Sequence, residues 1–318
     1  MHEREFVLRP LADLAPSLTL PHLQATPAQL LSRFEASSEL NLVLPAPLTR
    51  DSTTIMGIIN LTPDSFASPV STLASALELA QRHINEGAKI LDIGGMSTRP
   101  GAADVSPEEE KERVLPFLKE LRSTEWGKEV IVSVDTFRTE VAEATLKEGA
   151  NWINDVHAGT DEGMFELARK TGVPIVLMHS RGEAGSNEKY EGDVVQLVQR
   201  ELGERVEAAL QAGLKRWQII IDPGIGFAKG PKSNWELIRR LAEWRNGGQL
   251  AGYPVLFGPS RKRFLGTLIG QTDPAERDGA TAATLVEAIR VGCEVVRVHD
   301  TRSAKDAVQV ADAMYKTS

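Results

Sequence analysis

The segment TLASALELAQRHINEGAKILDIGG, residues 72–95, contains the unit that decides the fold. Apolar residues between Leu73 and Ile84 recur at the spacing of one buried helix face. Gly87 follows, where a left-handed residue ends a helix at low conformational cost. The apolar run ILDI, residues 90–93, then predicts a buried strand. The segment therefore predicts a helix, a glycine that caps it and a strand.

This unit repeats along the chain from about residue 53. A capping Ser106 followed by Pro107 and an acidic turn predicts the start of another helix. Repeated helix and strand units predict a (β/α)₈ TIM barrel over residues 51–318, and a doubly wound sheet is the alternative because periodicity alone does not close a sheet. The eight strand candidates are TIMGIIN, KILDIGG, VIVSVDT, NWINDV, PIVLMH, QIIIDPG, PVLFG and EVVRVH. Glycines predicted to end helices are Gly87, Gly149, Gly172, Gly213 and Gly292.

Residues 1–50 do not follow the repeat. They contain several prolines and one short amphipathic helix candidate, PAQLLSRF, residues 27–34. We interpret them as an N-terminal extension that ends in a linker near LPAPLTRDS, residues 44–52. A lid across the bottom of the barrel is the alternative.

Composition limits the function classes. The formal net charge of −8 over 318 residues argues against non-specific nucleic-acid binding. No apolar run approaches the length of a membrane span, and the N-terminus lacks a signal-peptide pattern. Cys293 is the only cysteine, so we expect a core thiol in a reducing compartment, cytoplasmic or mitochondrial.

The carboxyl ends of barrel strands build the active site in this architecture. In VRVHD, Val296 and Val298 lie on one face of the strand, and Arg297 and His299 lie on the other. We expect the valines to face the helices and the charged pair to face the barrel mouth. Polar residues at or near the other predicted strand ends are Asn60, Asp92, Asp135, Asn154, Asp155, His179, Asp222 and Ser260.

Two loops add charge and hydroxyl groups to this end. GGMSTRPGA follows the second strand, and GPSRKRFLG places Arg261, Lys262 and Arg263 after the seventh. With Arg297 and His299 they predict a positive mouth for an anionic ligand such as a phosphate ester. A solvated charge run explains RKR equally well, but it does not explain an inward Arg297.

The buried acids and amides predict a different ligand group. Asp135, Asn154 and Asp222 offer several acceptors and one amide donor pair, which matches the edge of an amino-substituted heterocycle. No cysteine or paired-histidine metal motif is present, and spacing assigns no Ser-His-Asp triad, so covalent catalysis has little support.

These motifs resemble the dihydropteroate synthases, the folate-pathway enzymes inhibited by sulfonamides, over residues 53–318. GGMSTRP is similar to the fungal form, whereas the first loop, DSFASPVS, lacks the aspartate and glycines usual in the family. The motifs that carry the resemblance are MGIINLTPDSF, ILDIGGMSTRPGA, VSVDT, INDV, VLMHSRG, IIIDPGIGFAKG, GPSRKRF and VRVHD.

The resemblance implies that 6-hydroxymethyl-7,8-dihydropterin pyrophosphate is joined to p-aminobenzoate. Asn60 is then the ligand of a Mg²⁺ cofactor that bridges to the pyrophosphate, and a homodimer is common in the family. Arg297, His299 and Lys262 take the catalytic roles. The pterin residues are Asp135, Asn154, Asp222 and Lys262; Thr98, Arg99, Arg297 and His299 hold the phosphates or shape their loop; Pro100, Phe227 and Ser260 border the p-aminobenzoate pocket.

The first fifty residues resemble the C-terminus of 6-hydroxymethyl-dihydropterin pyrophosphokinase. This implies a chain fused to, or derived from, a folate-pathway multienzyme protein. Two other functions stay open: a non-catalytic pterin-binding or scaffold domain, suggested by the unusual first and fifth loops, and a pterin-dependent methyltransferase barrel.

Overall fold

The computed structural model describes residues 44–62, 69–96, 105–182 and 190–316, together with scattered positions between residues 11 and 29; side chains are described from residue 73 onward in the first helix. Most of the helix candidate at residues 27–34 lies outside the described residues, as does most of the first loop. Thr98, Arg99 and Pro100 lie outside them as well.

Eight parallel strands form one sheet in the order β6-β5-β4-β3-β2-β1-β8-β7. A parallel bridge between Ile221 and Val255 joins the two outer strands, and the Ile221 amide donates to the Pro254 carbonyl at 2.9 Å. The sheet therefore closes into a barrel, which confirms the predicted fold and excludes the doubly wound sheet. The strands are β1 (Thr54–Asn60), β2 (Ile90–Gly94), β3 (Ile131–Asp135), β4 (Trp152–Asp155), β5 (Ile175–Met178), β6 (Ile219–Asp222), β7 (Leu256–Phe257) and β8 (Val295–Val298).

Helices alternate with the strands and surround the barrel. The five glycines predicted to end helices have φ values between +71° and +106°, which confirms their left-handed caps. Ser106 caps its helix as predicted, because its hydroxyl accepts from the Glu109 amide. The helices are α1 (Pro69–Asn85), α2 (Pro107–Ser123), α3 (Glu125–Lys128), α4 (Thr139–Lys147), α5 (Met164–Thr171), α6 (Val194–Gln211), α7 (Pro231–Arg239), α8 (Leu241–Asn246), α9 (Arg263–Ile269), α10 (Asp278–Arg290) and α11 (Thr301–Tyr315).

Alternation along the strands separates two apolar layers. Val296 and Val298 pack outward with helix residues such as Leu285, as the sequence predicts. The amino-terminal half of the barrel interior is filled by a second cluster: Met56, Ile90, Trp152, Val176, Ile220, Leu256 and Val295.

Part of the N-terminal extension belongs to this interior. Leu48 is buried in the inner cluster, and Leu44 packs against it. Residues 44–48 therefore contact the apolar barrel interior, while the lid alternative and the boundary near residue 50 stay predictions. Within the described ranges, no helix has the length and apolar character needed to cross a membrane.

Candidate active site

Polar side chains from four strands meet above the apolar interior. Arg297 on β8 donates from Nε to Asp92 Oδ2 at 2.6 Å and from Nη2 to Asp135 Oδ2 at 2.6 Å. Asn154 on β4 donates to the same Asp92 oxygen at 3.0 Å. The inward orientation predicted for Arg297 and Asp135 is therefore confirmed, and Asn154 lies with them. Together they form one connected network inside the barrel mouth.

This network leaves polar atoms without partners. Asp92 is 0% exposed, yet its Oδ1 makes no hydrogen bond, and the same holds for the buried Ser133 hydroxyl on the neighbouring strand. An unsatisfied buried polar atom costs about 1–3 kcal/mol. Unsatisfied polar atoms beside buried charges at the barrel mouth are typical of a site for a polar ligand.

The sixth and seventh strands supply the opposite wall. Asp222 is buried, and its Oδ1 accepts from the Gly224 amide at 2.7 Å. Burial raises the pKa of Asp222 to about 6, although the Gly224 hydrogen bond and the charges of Lys262 and Lys229 oppose this shift. Lys262 places its Nζ 3.8 Å from the centre of the Phe227 ring. Burial and the nearby Arg297 charge lower the pKa of Lys262 to about 7.

The charges of the inner pocket perturb one another. Burial raises the pKa of the Asp135 carboxyl, and the Arg297 charge opposes that shift. For Arg297 itself, burial would lower the pKa, but the charges of Asp92 and Asp135 more than offset it and raise the pKa. Arg297 is therefore a permanent cation that neighbouring carboxylates hold in place.

Part of the charge expected at the positive mouth is paired within the protein. Arg261 donates to both carboxylate oxygens of Asp278 at 2.7 Å, so its charge is already paired. Arg263 is exposed at the start of α9. Lys262 lies with Arg297 near Asp135 and Asp222, whereas Arg261 lines the cavity shared with Asn60 and His299. The positive mouth as a whole stays a prediction, since Arg99 lies outside the described residues.

Asn60 and His299 lie together on the other side of the mouth. The Ser260 hydroxyl is 3.0 Å from His299 Nδ1 and accepts from the His299 backbone amide at 3.1 Å. Asn60 and His299 line a common cavity of about 390 Å³ with Arg82 and Glu86. This cavity opens beside the pocket, between α1 and the loops after β7 and β8.

The donor set near Asn60 fits a weakly ligated Mg²⁺. No cluster of three or more His, Cys, Asp or Glu side chains suited to a metal occurs among the residues the structure describes. Protein-bound Mg²⁺ commonly uses one or two protein oxygens together with substrate phosphates and water. The single amide oxygen of Asn60, beside a polar cavity, is compatible with this mode.

Two polar residues at strand ends have other partners. Asp155 accepts from the amides of His157 and Gly159 at 2.8 and 2.7 Å, so it shapes the loop after β4. His179 contacts the buried Lys229 and Glu201. Asp92 was named at a strand end but not assigned to the site, although its inward parity, which it shares with Ile90, would have placed it there. Lys229 gave no signal beyond its position in the FAKG turn.

A (β/α)₈ barrel with buried polar residues at the carboxyl ends of its strands has the architecture of the α/β-barrel enzymes. The chain belongs to the pterin binding enzyme family, whose sequence model matches residues 56–299. It is 46% identical over 260 residues to the dihydropteroate synthase of Streptococcus pyogenes, covering 80% of this chain and 93% of the relative.

Two further relatives extend this result. The folic acid synthesis protein fol1 of Schizosaccharomyces pombe is 42% identical over 99% of this chain, which spans 43% of that protein. The chain thus spans less than half the length of this fungal relative. Xanthomonas albilineans dihydropteroate synthase, solved with 4-aminobenzoic acid, superposes with a TM-score of 0.77 and 40% identity over 84% of this chain and 94% of that one.

Proposed function

We propose that the chain is a dihydropteroate synthase. It condenses 6-hydroxymethyl-7,8-dihydropterin pyrophosphate with p-aminobenzoate and releases 7,8-dihydropteroate and pyrophosphate. The observation that carries the proposal is the convergence of Asp135, Asn154, Asp222 and Lys262 on one polar pocket. Similarity to synthases over nearly their whole length supports it, and a related synthase binding 4-aminobenzoic acid supports the second substrate.

The pterin ring would occupy the inner pocket. Its amino and amide N–H groups suit the Asp222 carboxylate, and its ring nitrogens suit Asn154 and Lys262. Asp92 Oδ1 and the Ser133 hydroxyl would gain a partner when the pocket fills. Phe227, beneath Lys262, would border the p-aminobenzoate ring together with Ser260 and Pro100.

The reaction would be a dissociative substitution. The bond between the pterin methylene carbon and the pyrophosphate oxygen breaks, and its electron pair leaves with the pyrophosphate. The electron-rich pterin delocalises the resulting positive charge, and Asp135 and Asp222 stabilise it electrostatically. The amine nitrogen of p-aminobenzoate then forms the new C–N bond and releases a proton to water.

The leaving group would be stabilised by cations at the mouth. Arg297 is held by Asp92 and Asp135 through Nε and Nη2, which leaves Nη1 for a phosphate oxygen. His299 would donate from the wall of the neighbouring cavity. When bound, Mg²⁺ would be held by Asn60 and the phosphate oxygens, and it would neutralise charge on the pyrophosphate. The assignments of Thr98 and Arg99 to the phosphates stay predictions.

The wider setting is part of the same proposal. A chain that spans less than half of a fungal folate-synthesis protein supports an origin in a multienzyme fusion. The pyrophosphokinase remnant in residues 1–50, a homodimer, sulfonamide sensitivity, and a cytoplasmic or mitochondrial location are further predictions.

The test is a product assay. The purified chain is mixed with the pterin pyrophosphate, p-aminobenzoate and Mg²⁺, and we expect dihydropteroate and pyrophosphate in equal amounts. Pterin binding without product would refute the synthase and favour the scaffold alternative. Turnover that requires a methyl donor would favour the methyltransferase alternative.

A further inference from the structure

Lys229 is a buried lysine that the proposed chemistry does not use. It lies after β6, is 3% exposed, and directs its Nζ at four acceptors. These are His179 Nδ1 at 3.0 Å and the carbonyl oxygens of Gly224, His179 and Phe227 at 3.0, 3.2 and 3.2 Å. An ammonium group has three N–H donors, whereas a neutral amine has two and a lone pair that would face these oxygens. The four acceptors and the Asp222 charge favour the charged form, whereas burial lowers the pKa of Lys229 to about 7. The amine is therefore charged in the acid range in which Asp222 titrates.

The partners of Lys229 determine the state of His179. Because Nδ1 accepts from Lys229, the ring proton lies on Nε2, which donates to Glu201 Oε2 at 2.9 Å. Burial and the Lys229 charge lower the pKa of His179 to about 4, so the ring is neutral at neutral pH. Arg181 donates to the same Glu201 oxygen at 2.8 Å. A continuous chain of hydrogen bonds thus joins the loop after β6, the end of β5 and helix α6.

The loop between Asp222 and Lys229 is fixed at other points as well. Gly224 has φ +66°, and a Cβ there would lie 1.9 Å from the His179 carbonyl oxygen, so no other residue fits this conformation. Asn234 on α7 accepts from the Gly226 amide at 2.7 Å and donates to the Lys229 carbonyl at 2.9 Å. Lys229 connects this loop to His179, the residue that follows β5.

We propose that Lys229 is a positioning residue for the pterin: its hydrogen bonds to Gly224, Phe227 and His179 fix the loop that carries Asp222 and Phe227. The inference rests on the proposed function. The charged groups that face Asp222 are Lys229 on this loop, Lys262 before α9 and Arg297 on β8. Each of them lowers the pKa of Asp222 against the opposing effect of burial. Lys229 differs from the other two because it is 3% exposed and its Nζ is held by the loop and by His179.

The test is the pH dependence of kcat/KM for the pterin pyrophosphate in the full chain carrying Lys229→Met. Removing one neighbouring cation should raise the pKa of Asp222. The acid limb of the profile, where kcat/KM falls as Asp222 is protonated, should therefore move upward by about one pH unit. KM for the pterin pyrophosphate should rise about tenfold, because the Asp222 loop is less well ordered. Lys229→Arg keeps the positive charge. The acid limb of its kcat/KM profile should therefore stay at the wild-type pH, even if KM rises.

Lys232→Met is the matched control. It removes the same charge three residues away, at an exposed position in the first turn of α7, and should leave both the limb and KM unchanged. An unmoved acid limb in Lys229→Met, with activity reduced equally at every pH, would overturn the inference and indicate a purely structural role. A wild-type chain without turnover would instead refute the proposed function.

A measurement on the unsubstituted protein covers the case in which Lys229→Met does not fold. Nitrogen-15 NMR of the histidines should show His179 protonated only on Nε2 and not titrating between about pH 6 and about pH 8. His179→Gln identifies its signal. A His179 that titrates with an ordinary histidine pKa, or that carries its proton on Nδ1, would contradict the Lys229 contact.

Discussion

The two halves of the barrel interior are built from the same strands but have opposite chemistry. Residues two positions apart on one strand lie in different layers. On β2, Ile90 lies in the lower, apolar layer and Asp92 in the upper, polar layer; on β4, Trp152 and Asn154 do the same. On β6 and β8 the pairs are Ile220 with Asp222 and Val295 with Arg297. A two-residue step keeps the side chain on the inner face, so the difference lies only in depth along the barrel axis.

The two layers separate residues that stabilise the fold from residues available for chemistry. The lower layer is apolar, and Leu48 of the N-terminal segment packs into it. The upper layer contains buried charges and two buried polar atoms without partners, which lower stability until a ligand binds. Substitutions in the upper layer should therefore change turnover, and substitutions in the lower layer should change stability. The following experiments test this difference.

The largest effect is expected for Arg297→Ala in the upper layer. The change removes the cation that faces the leaving group and leaves Asp92 and Asp135 without their shared partner. Turnover, measured as pyrophosphate release, should fall about 10³-fold. Arg290→Ala, which removes an ion pair with Glu287 on the surface of α10, is the control and should retain wild-type turnover. Near-normal turnover of Arg297→Ala would remove its role at the leaving group.

The lower layer should respond in stability rather than in chemistry. Trp152 is 1% exposed within the inner cluster, so Trp152→Ala should lower the free energy of unfolding by about 3–5 kcal/mol in urea titrations. KM values of the folded fraction should stay close to wild type. Ile220→Val is a graded companion, expected to cost about 0.5–1.5 kcal/mol. A tenfold change in KM without loss of stability would abolish the contrast between the layers.

Asp222 supplies the pH dependence of the upper layer. Its pKa is raised to about 6, so the carboxyl is protonated below that pH and ionised above it. If the ionised form binds the pterin, kcat/KM for the pterin pyrophosphate should rise as pH increases through about 6. Asp222→Asn should abolish this limb and lower kcat/KM by about tenfold or more at neutral pH. If Asp222→Asn kept the same acid limb, a titrating group other than Asp222 would be responsible for that limb.

The smallest effect is expected for a substitution of Ser106, a polar residue that lies at the active-site end of the barrel but outside the site. Ser106 caps α2 after the second loop by accepting from the Glu109 amide at 3.2 Å. Ser106→Ala should lower the free energy of unfolding by about 1 kcal/mol, with kcat/KM unchanged. The measurement is a urea titration paired with the turnover assay. A loss of turnover would show that the second helix start contributes to the site.

Sequence patterns predicted much of this arrangement because they depend on local physics. Strand parity placed Arg297 and Asp135 inside the barrel, and the position of Asn154 at a strand end named it as a candidate; the structure brings all three together. The glycine caps followed from the low cost of a left-handed glycine after a helix. Asp92 had the same signal and was named at a strand end, but it was not assigned to the site.

Other features depended on partners distant in sequence. Arg261 and Lys262 are adjacent in the chain, yet one pairs with Asp278 and the other lies over Phe227. No local pattern distinguishes them, because the turn that separates their directions includes the positive φ of Arg261. The chain of contacts from Lys229 to Glu201 likewise joins residues from three elements.

The amino-acid sequence was sufficient to predict the alternating helices and strands, the inward-facing residues and the family resemblance, because helix periodicity, strand alternation and motif order are local. Closure of the sheet into a barrel was established by the bridge between Ile221 and Val255. Only the tertiary structure decided which charges neutralise one another and which stay available. That outcome depends on distances between strands that are far apart in sequence, since burial and neighbouring charges set the state of every ionisable group in the pocket.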